Sequence, residues 1–231
     1  GAWAQLNVQG PRSRELLGLV TDADLSNEAF PYRTSGSIDI GFARVQCTRI
    51  TYLGELGYEL YIPTEQAVHV YERIVEAGRT VDLRHAGLKA LASLRMEKGY
   101  RDYGHDIDNL DGVYECGFGF AVRLDKVGGF IGRDAVARAA EGGTPHSRLL
   151  QVMLTDPEPL LFHAEPVLRD GRPVGYIRSA SYGHTLGAAV GLAMVAADEP
   201  LTTGWINAGR WEVDIAGHRV PASASLRPLY D

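Results

Sequence analysis

The chain is expected to fold as an α+β protein: an antiparallel sheet covered by helices, followed by a small all-β barrel. Three observations predict this. Up to Gly99 the apolar pattern runs strand, helix, strands, helix, the order of an α+β sandwich with an antiparallel sheet. After Phe118 it changes to short strand-like pieces separated by turn residues such as Asp170-Gly171, Asn207-Ala208-Gly209 and Ala216-Gly217. Between the two regimes, Glu141-Gly142-Gly143-Thr144-Pro145 reads as a linker. The expected division is therefore residues 1–143 and 144–231.

Each element has its own signal. Trp3, Leu6 and Val8 form a short strand ended by Gly10-Pro11, and Pro11 suits the first position of a helix whose apolar face is Leu16, Leu17 and Val20. Ile38, Ile40 and Phe42 alternate with Ser37, Asp39 and Gly41, as in a half-buried strand. Val45 to Leu53 continues with β-branched residues. Thr64 is placed to cap a helix running through Ala77, with Val68, Tyr71 and Val75 among its apolar positions and Gly78 as its stop. A second helix spans about Arg84 to Lys98 and ends at Gly99. A short one covers Asp134 to Ala140. The barrel pieces are Leu149–Leu154, Glu165–Leu168, Pro173–Ile177, Ala189–Val195, Trp211–Ile215 and His218–Pro221.

Bulk properties bound the function. Of 231 residues, 45% are apolar, enough for a substantial core, and no run approaches the ~18 apolar residues of a membrane span. Lysine and arginine number 23 against 29 aspartates and glutamates, a net charge of −6 that argues against a general nucleic-acid binder. Two distant cysteines, Cys47 and Cys116, exclude a disulfide framework or zinc ribbon and fit a reducing, cytoplasmic setting. The abrupt start at Gly1-Ala2, running straight into a strand, reads as a piece of a longer chain.

Two residues stand out against their surroundings. The stretch TYLGELGYEL, from Thr51 to Leu60, reads as a strand yet holds Glu59 on the face opposite Tyr58 and Leu60. Either that face is wet and Glu59 solvated, or the carboxylate looks into a cleft flanked by Tyr52 and Tyr61. There its two oxygens would match a ligand with two parallel N–H donors. Arg95 falls, by helical spacing, on the face of Leu88, Leu91 and Ala92, so it either snorkels past the core or pairs with a buried carboxylate. The run from Lys98 to Asp108 gathers His105 with three aspartates, but it lacks the closing glutamate of a calcium loop and reads as a polar turn. No nucleophile elbow, zinc triad or dinucleotide fingerprint occurs.

Several stretches in order resemble the folate-dependent aminomethyltransferase family, which includes the glycine-cleavage T-protein. They are WAQLNVQGPRSRELL (3–17), TDADLSN (21–27), ITYLGELGYELYIP (50–63), AGLKALASLRMEKGYRDYGHDID (86–108), GFGFAVRLDKVGGFIGRDA (117–135) and RPLY (227–230). LRMEKGYRDYG is most similar to the branch found in the carboxy-terminal regions of dimethylglycine and sarcosine dehydrogenases and oxidases.

The resemblance implies a T-protein-like body, a β-barrel after it, and tetrahydrofolate between them. It implies that Glu59 hydrogen-bonds the pterin ring and that Tyr52 and Tyr230 approach the cofactor. The T-protein's folate-contacting arginine corresponds to Leu91, so that contact is absent here, and Arg95 is the candidate cation to stand in for it, with other cations left open. The family's catalytic aspartate belongs to a segment preceding Trp3, so no catalytic residue is expected in this chain. The implied reaction forms 5,10-methylenetetrahydrofolate from a small N-methylated amine oxidised by a flavin half that would carry FAD. A stand-alone T-protein is the first rival reading. A non-catalytic folate-binding relative that assists iron–sulfur assembly is the second, and Lys98-Gly99-Tyr100-Arg101 lacks the cysteine that those relatives carry.

Overall fold

The computed structural model describes residues 1–230. The chain divides into two compact units, residues 1–87 and 88 onward.

The first unit is a two-layer sandwich. It contains β1 (Trp3–Gln9), α1 (Ser13–Gly18), β2 (Ser35–Ile40), β3 (Ala43–Thr48), β4 (Gly57–Pro63), a 3-10 turn (Thr64–Gln66) and α2 (Ala67–Gly78). The sheet order is β1-β4-β3-β2 with every pair antiparallel. Alternation sets its faces: Val8, Ile38, Ile40, Val45, Cys47, Tyr58, Leu60 and Ile62 form a core with Leu16 and Leu17 of α1 and Val70 and Ile74 of α2. Burying side chains such as Leu60 or Ile62 contributes about 1.5–3 kcal/mol each. Gly57 opens β4 where a Cβ would lie 1.8 Å from the Gln9 side-chain oxygen, so a larger residue would have to displace that amide.

Three expected boundaries move for local reasons. Pro11 precedes α1, which begins at Ser13. The strand read through Leu53 stops at Thr48: the Thr51 hydroxyl accepts the Leu53 N–H and Gly54 is left-handed (φ 76°), which turns the backbone out of the ladder. The strand character of TYLGELGYEL therefore begins only at Gly57. Thr64 does not cap α2, because its hydroxyl donates to the Gly1 carbonyl (2.8 Å), and α2 starts at Ala67.

The second unit holds α3 (Leu88–Glu97), a 3-10 turn (Gly119–Ala121), α4 (Arg133–Glu141), β5 (Ser147–Leu154), β6 (Pro166–Arg169), β7 (Arg172–Gly183), β8 (Ala188–Ala196), α5 (Thr203–Ala208), β9 (Trp211–Ile215) and β10 (His218–Ser225). Its six strands close into an antiparallel barrel in the order β10-β5-β8-β7-β6-β9. The interior holds Leu150, Val152, Leu154, Val167, Ile177, Ala193, Val195 and Val213. Outside the barrel, Leu149, Val190, Leu192 and Met194 pack with Met96 of α3 and Cys116. β8 is thus covered on both faces, which is why it reads as an unbroken apolar run. The α+β fold class expected from sequence is the one observed.

The expected apolar face of α3 is not its buried face. Leu88 is 82% exposed, while Ser93, Arg95, Met96 and Glu97 are buried. The helix turns its polar last turns inward because the barrel offers them partners. The Glu97 carboxylate accepts the Thr185 and Leu186 N–H groups (2.6 and 2.9 Å) and the Thr185 hydroxyl (3.0 Å), fixing the turn between β7 and β8. The helix runs only from Leu88 to Glu97, starting later than the expected Arg84, and Gly99, left-handed at φ 61°, turns the chain just past its end.

Candidate functional site

Strand alternation sends Glu59 and Tyr61 to the sheet face opposite the helices. Both are half-buried. The pairing register sets Asn7 of β1 and Thr48 of β3 beside Glu59, and Gln5 and Gln46 beside Tyr61. Ser35 of β2 continues this face, bonded to Thr48 (2.7 Å) and to Gln46 (2.8 Å). The centre of the face is thus a polar surface of amides and hydroxyls with one carboxylate at its middle. Tyr61 donates its hydroxyl to Glu59 Oε2 at 2.6 Å. This bond to the carboxylate, more than burial, pushes the Tyr61 phenol above its ordinary pKa, so it stays a neutral donor. Among the described residues no cation pairs with Glu59. Tyr52 is half-buried on the connection between β3 and β4.

Arg95 and Tyr230 belong to the second unit. Arg95 is 6% exposed and forms an ion pair with Asp106, which is fully buried. Its other donors reach the Tyr100 carbonyl (2.8 Å) and the Ser179 hydroxyl (3.1 Å), and Asp106 also accepts from Ser179 and from the Asp102 N–H. Of the two roles open in sequence, the structure gives Arg95 the buried pair. A guanidinium so enclosed ties the end of α3 to Asp106, Tyr100 and Ser179.

The acidic run after α3 is likewise tied down. β7 shifts register between Ile177 and Ser179, and the extra residue, Arg178, reaches Asp111 at 3.2 Å and Asp108 at 3.9 Å. His105 bonds Asp102 at 2.8 Å. Among the described residues, no group of three or more metal-ligating side chains gathers.

Tyr230 lies near the end of a tail fixed by a residue that sequence reasoning missed. Gln151 of β5 is buried. Its Nε2 donates to the Met96 and Glu97 carbonyls (2.5 and 3.1 Å) at the end of α3, and its oxygen accepts the Leu229 N–H (2.6 Å). The next residue, Tyr230, sets its ring under the Lys98 ammonium, 4.3 Å from the ring centroid. A glutamine amid Leu149, Leu150 and Val152 was the available signal, since a buried amide has to find partners. Gln151→Leu is expected to cost about 2 kcal/mol, because the Glu97 carbonyl and the Leu229 N–H lose their partner while the Met96 carbonyl keeps only the Gly99 N–H. It should also release the tail, which faster hydrogen exchange at the Leu229 amide would report. Unchanged exchange there would refute this clip.

Burial pushes the Cys47 thiol up to about 12 and Cys116 up to about 11. The unfolded chain therefore ionises first as pH rises, so stability falls above the ordinary thiol range and reactive thiolate is scarce in the native state. Folded protein at pH 8 is expected to take up almost no thiol reagent, and denatured protein two equivalents; rapid native labelling would contradict this.

Two surface hollows are lined by other residues. One, of about 610 Å³, is lined by Gly128 to Ala135, and the other, of about 490 Å³, by residues including Asp22, Asp39 and Arg73. Neither contains Glu59 or Tyr52. No described helix is long and apolar enough to cross a membrane.

An α+β sandwich with a polar sheet face, followed by a closed six-stranded barrel, defines a two-part module. The pattern of the GCVT N-terminal domain matches residues 1–126, and that of the glycine cleavage T-protein C-terminal barrel domain matches 148–231. The chain belongs to the glycine-cleavage T-protein family, whose members bind tetrahydrofolate. It is 43% identical over its whole length to 27% of a 4-methylaminobutanoate oxidase (formaldehyde-forming) from Paenarthrobacter nicotinovorans. Over 98% of its length it is 33% identical to a quarter (25%) of the mitochondrial sarcosine dehydrogenase of Homo sapiens. The chain thus spans about a quarter of these two relatives. In three dimensions it is similar to the glycine cleavage system aminomethyltransferase T from Bartonella henselae. That match has a TM-score of 0.80 at 22% identity and covers 97% of this chain and 59% of the other.

Proposed function

We propose that the protein is a tetrahydrofolate-binding one-carbon transfer module acting beside flavin-dependent oxidation of a small N-methylated amine, with 5,10-methylenetetrahydrofolate as product. Its functional parts are residues 1–143, which carry the pterin contact, and the barrel from 144. The observation that carries this reading is the Glu59 carboxylate: half-buried, hydrogen-bonded by Tyr61, and unpaired with any cation among the described residues. A carboxylate offers about four acceptor sites, and Tyr61 occupies one. The remainder suits the pterin edge, which presents a ring N–H and an amino group in parallel.

When bound, tetrahydrofolate supplies the nitrogen nucleophile that takes up the one-carbon unit. In this reading Glu59 orients the ring and Tyr52 offers aromatic surface beside it; within the second unit, the Gln151 clip keeps Tyr230 in place. The names of two relatives support an N-methylated amine as the carbon source, and one records formaldehyde as its product. A folate held by this chain would capture that carbon before it escapes. Proton transfer is assigned to no side chain of this chain. Calorimetric titration with tetrahydrofolate tests the proposal: absence of binding overturns the folate reading, and equal affinities for wild type and Glu59→Ala remove Glu59 from the site.

A further inference from the structure

We infer that Tyr61 is a positioning residue for the ligand acceptor: its hydroxyl holds one oxygen of Glu59 so that the carboxylate plane is set before a ligand arrives. The inference rests on the folate reading and adds a residue to it. Residues two apart on a strand share a face, and the Tyr61 ring spans the gap to place its hydroxyl 2.6 Å from Oε2. Among the described residues this is the hydrogen bond Glu59 makes, and no cation competes for it. The register neighbours of Glu59 are Asn7 and Thr48, and those of Tyr61 are Gln5 and Gln46. None carries charge. Among the described residues no second side-chain hydrogen bond or ion pair fixes the carboxyl group.

A glutamate side chain left to rotate would have to be ordered when the ligand binds, at a cost to affinity. The bond from Tyr61 meets that cost within the folded protein. It engages only part of the acceptor capacity, so Oε1 stays open and Oε2 keeps a lone pair for a second donor. The phenol remains protonated well into the alkaline range, so it donates throughout the physiological window.

Tyr61→Phe keeps the ring and removes the hydroxyl. It is expected to weaken tetrahydrofolate binding about tenfold, the effect of one hydrogen bond to a charged group, without moving the thermal midpoint. The decisive measurement is a double-mutant cycle by calorimetry. In a Glu59→Ala background, where no acceptor is left for its hydroxyl, Tyr61→Phe is expected to produce no further loss, because Tyr61 acts through the carboxylate. Additive losses would mean that Tyr61 touches the ligand directly, and full affinity in Tyr61→Phe would mean that it does nothing there. Either result overturns the inference while leaving folate binding intact. No binding by the wild type removes the folate reading itself, and the positioning role falls with it.

Discussion

Asp106→Ala is expected to destabilise the protein by about 3–5 kcal/mol, the scale for leaving one member of a buried ion pair without its partner. Arg95 has 6% exposure and cannot return to water without leaving the helix interface. The Asp102 N–H and the Ser179 hydroxyl lose their acceptor at the same time. Urea unfolding with an unchanged slope would measure the loss directly. The pair also predicts an asymmetry. Arg95→Met combined with Asp106→Leu removes both charges and is expected to be milder than either single change, since no uncompensated charge stays buried. A loss below about 1 kcal/mol for Asp106→Ala would show that the carboxylate is not the counter-ion of Arg95.

Glu59→Ala is expected to weaken tetrahydrofolate binding by about 2–4 kcal/mol, because a charged acceptor is withdrawn from two donors that the ligand has already desolvated. The stability of the folded chain should hardly change, because Glu59 shares its strand with Leu60 but not its face. Glu55, four residues earlier in the same stretch, provides the control. It lies on the connection before β4, and Glu55→Ala is expected to bind as the wild type does. A loss as large at Glu55 as at Glu59 would point to a general charge effect in place of a specific contact.

Much of the architecture was legible because it depends on period. β9 is Trp211–Ile215 as read, and β5, β6 and β8 differ from their expected spans by one or two residues at an end. β7 and β10 extend well past the apolar pieces that revealed them, through Arg178–Gly183 and Ala222–Ser225. In a barrel, ladder bonds carry a strand on after its apolar residues have run out. The helix Thr203–Ala208 was missed. It is short, and its start is marked by the Thr202 hydroxyl accepting the Trp205 N–H. The orientation of α3 was illegible for a different reason. Its buried face is chosen by Asp106, Thr185 and Leu186, which are distant in sequence, so spacing within the helix could not reveal it. At the candidate site, Glu59 and its strand face were readable from alternation. The Tyr61 bond and the Gln151 clip needed coordinates, because a side chain's hydrogen-bond partner is decided by reach in space.

β4 is an inner strand of its sheet, hydrogen-bonded to β1 on one side and β3 on the other. Odd positions 59 and 61 therefore address the outside world while even positions 58, 60 and 62 maintain the core. Under the proposed folate reading, recognition and folding are thereby uncoupled at single-residue resolution. Such a strand can drift toward new ligands by exchanging its outward residues, with no repair required underneath.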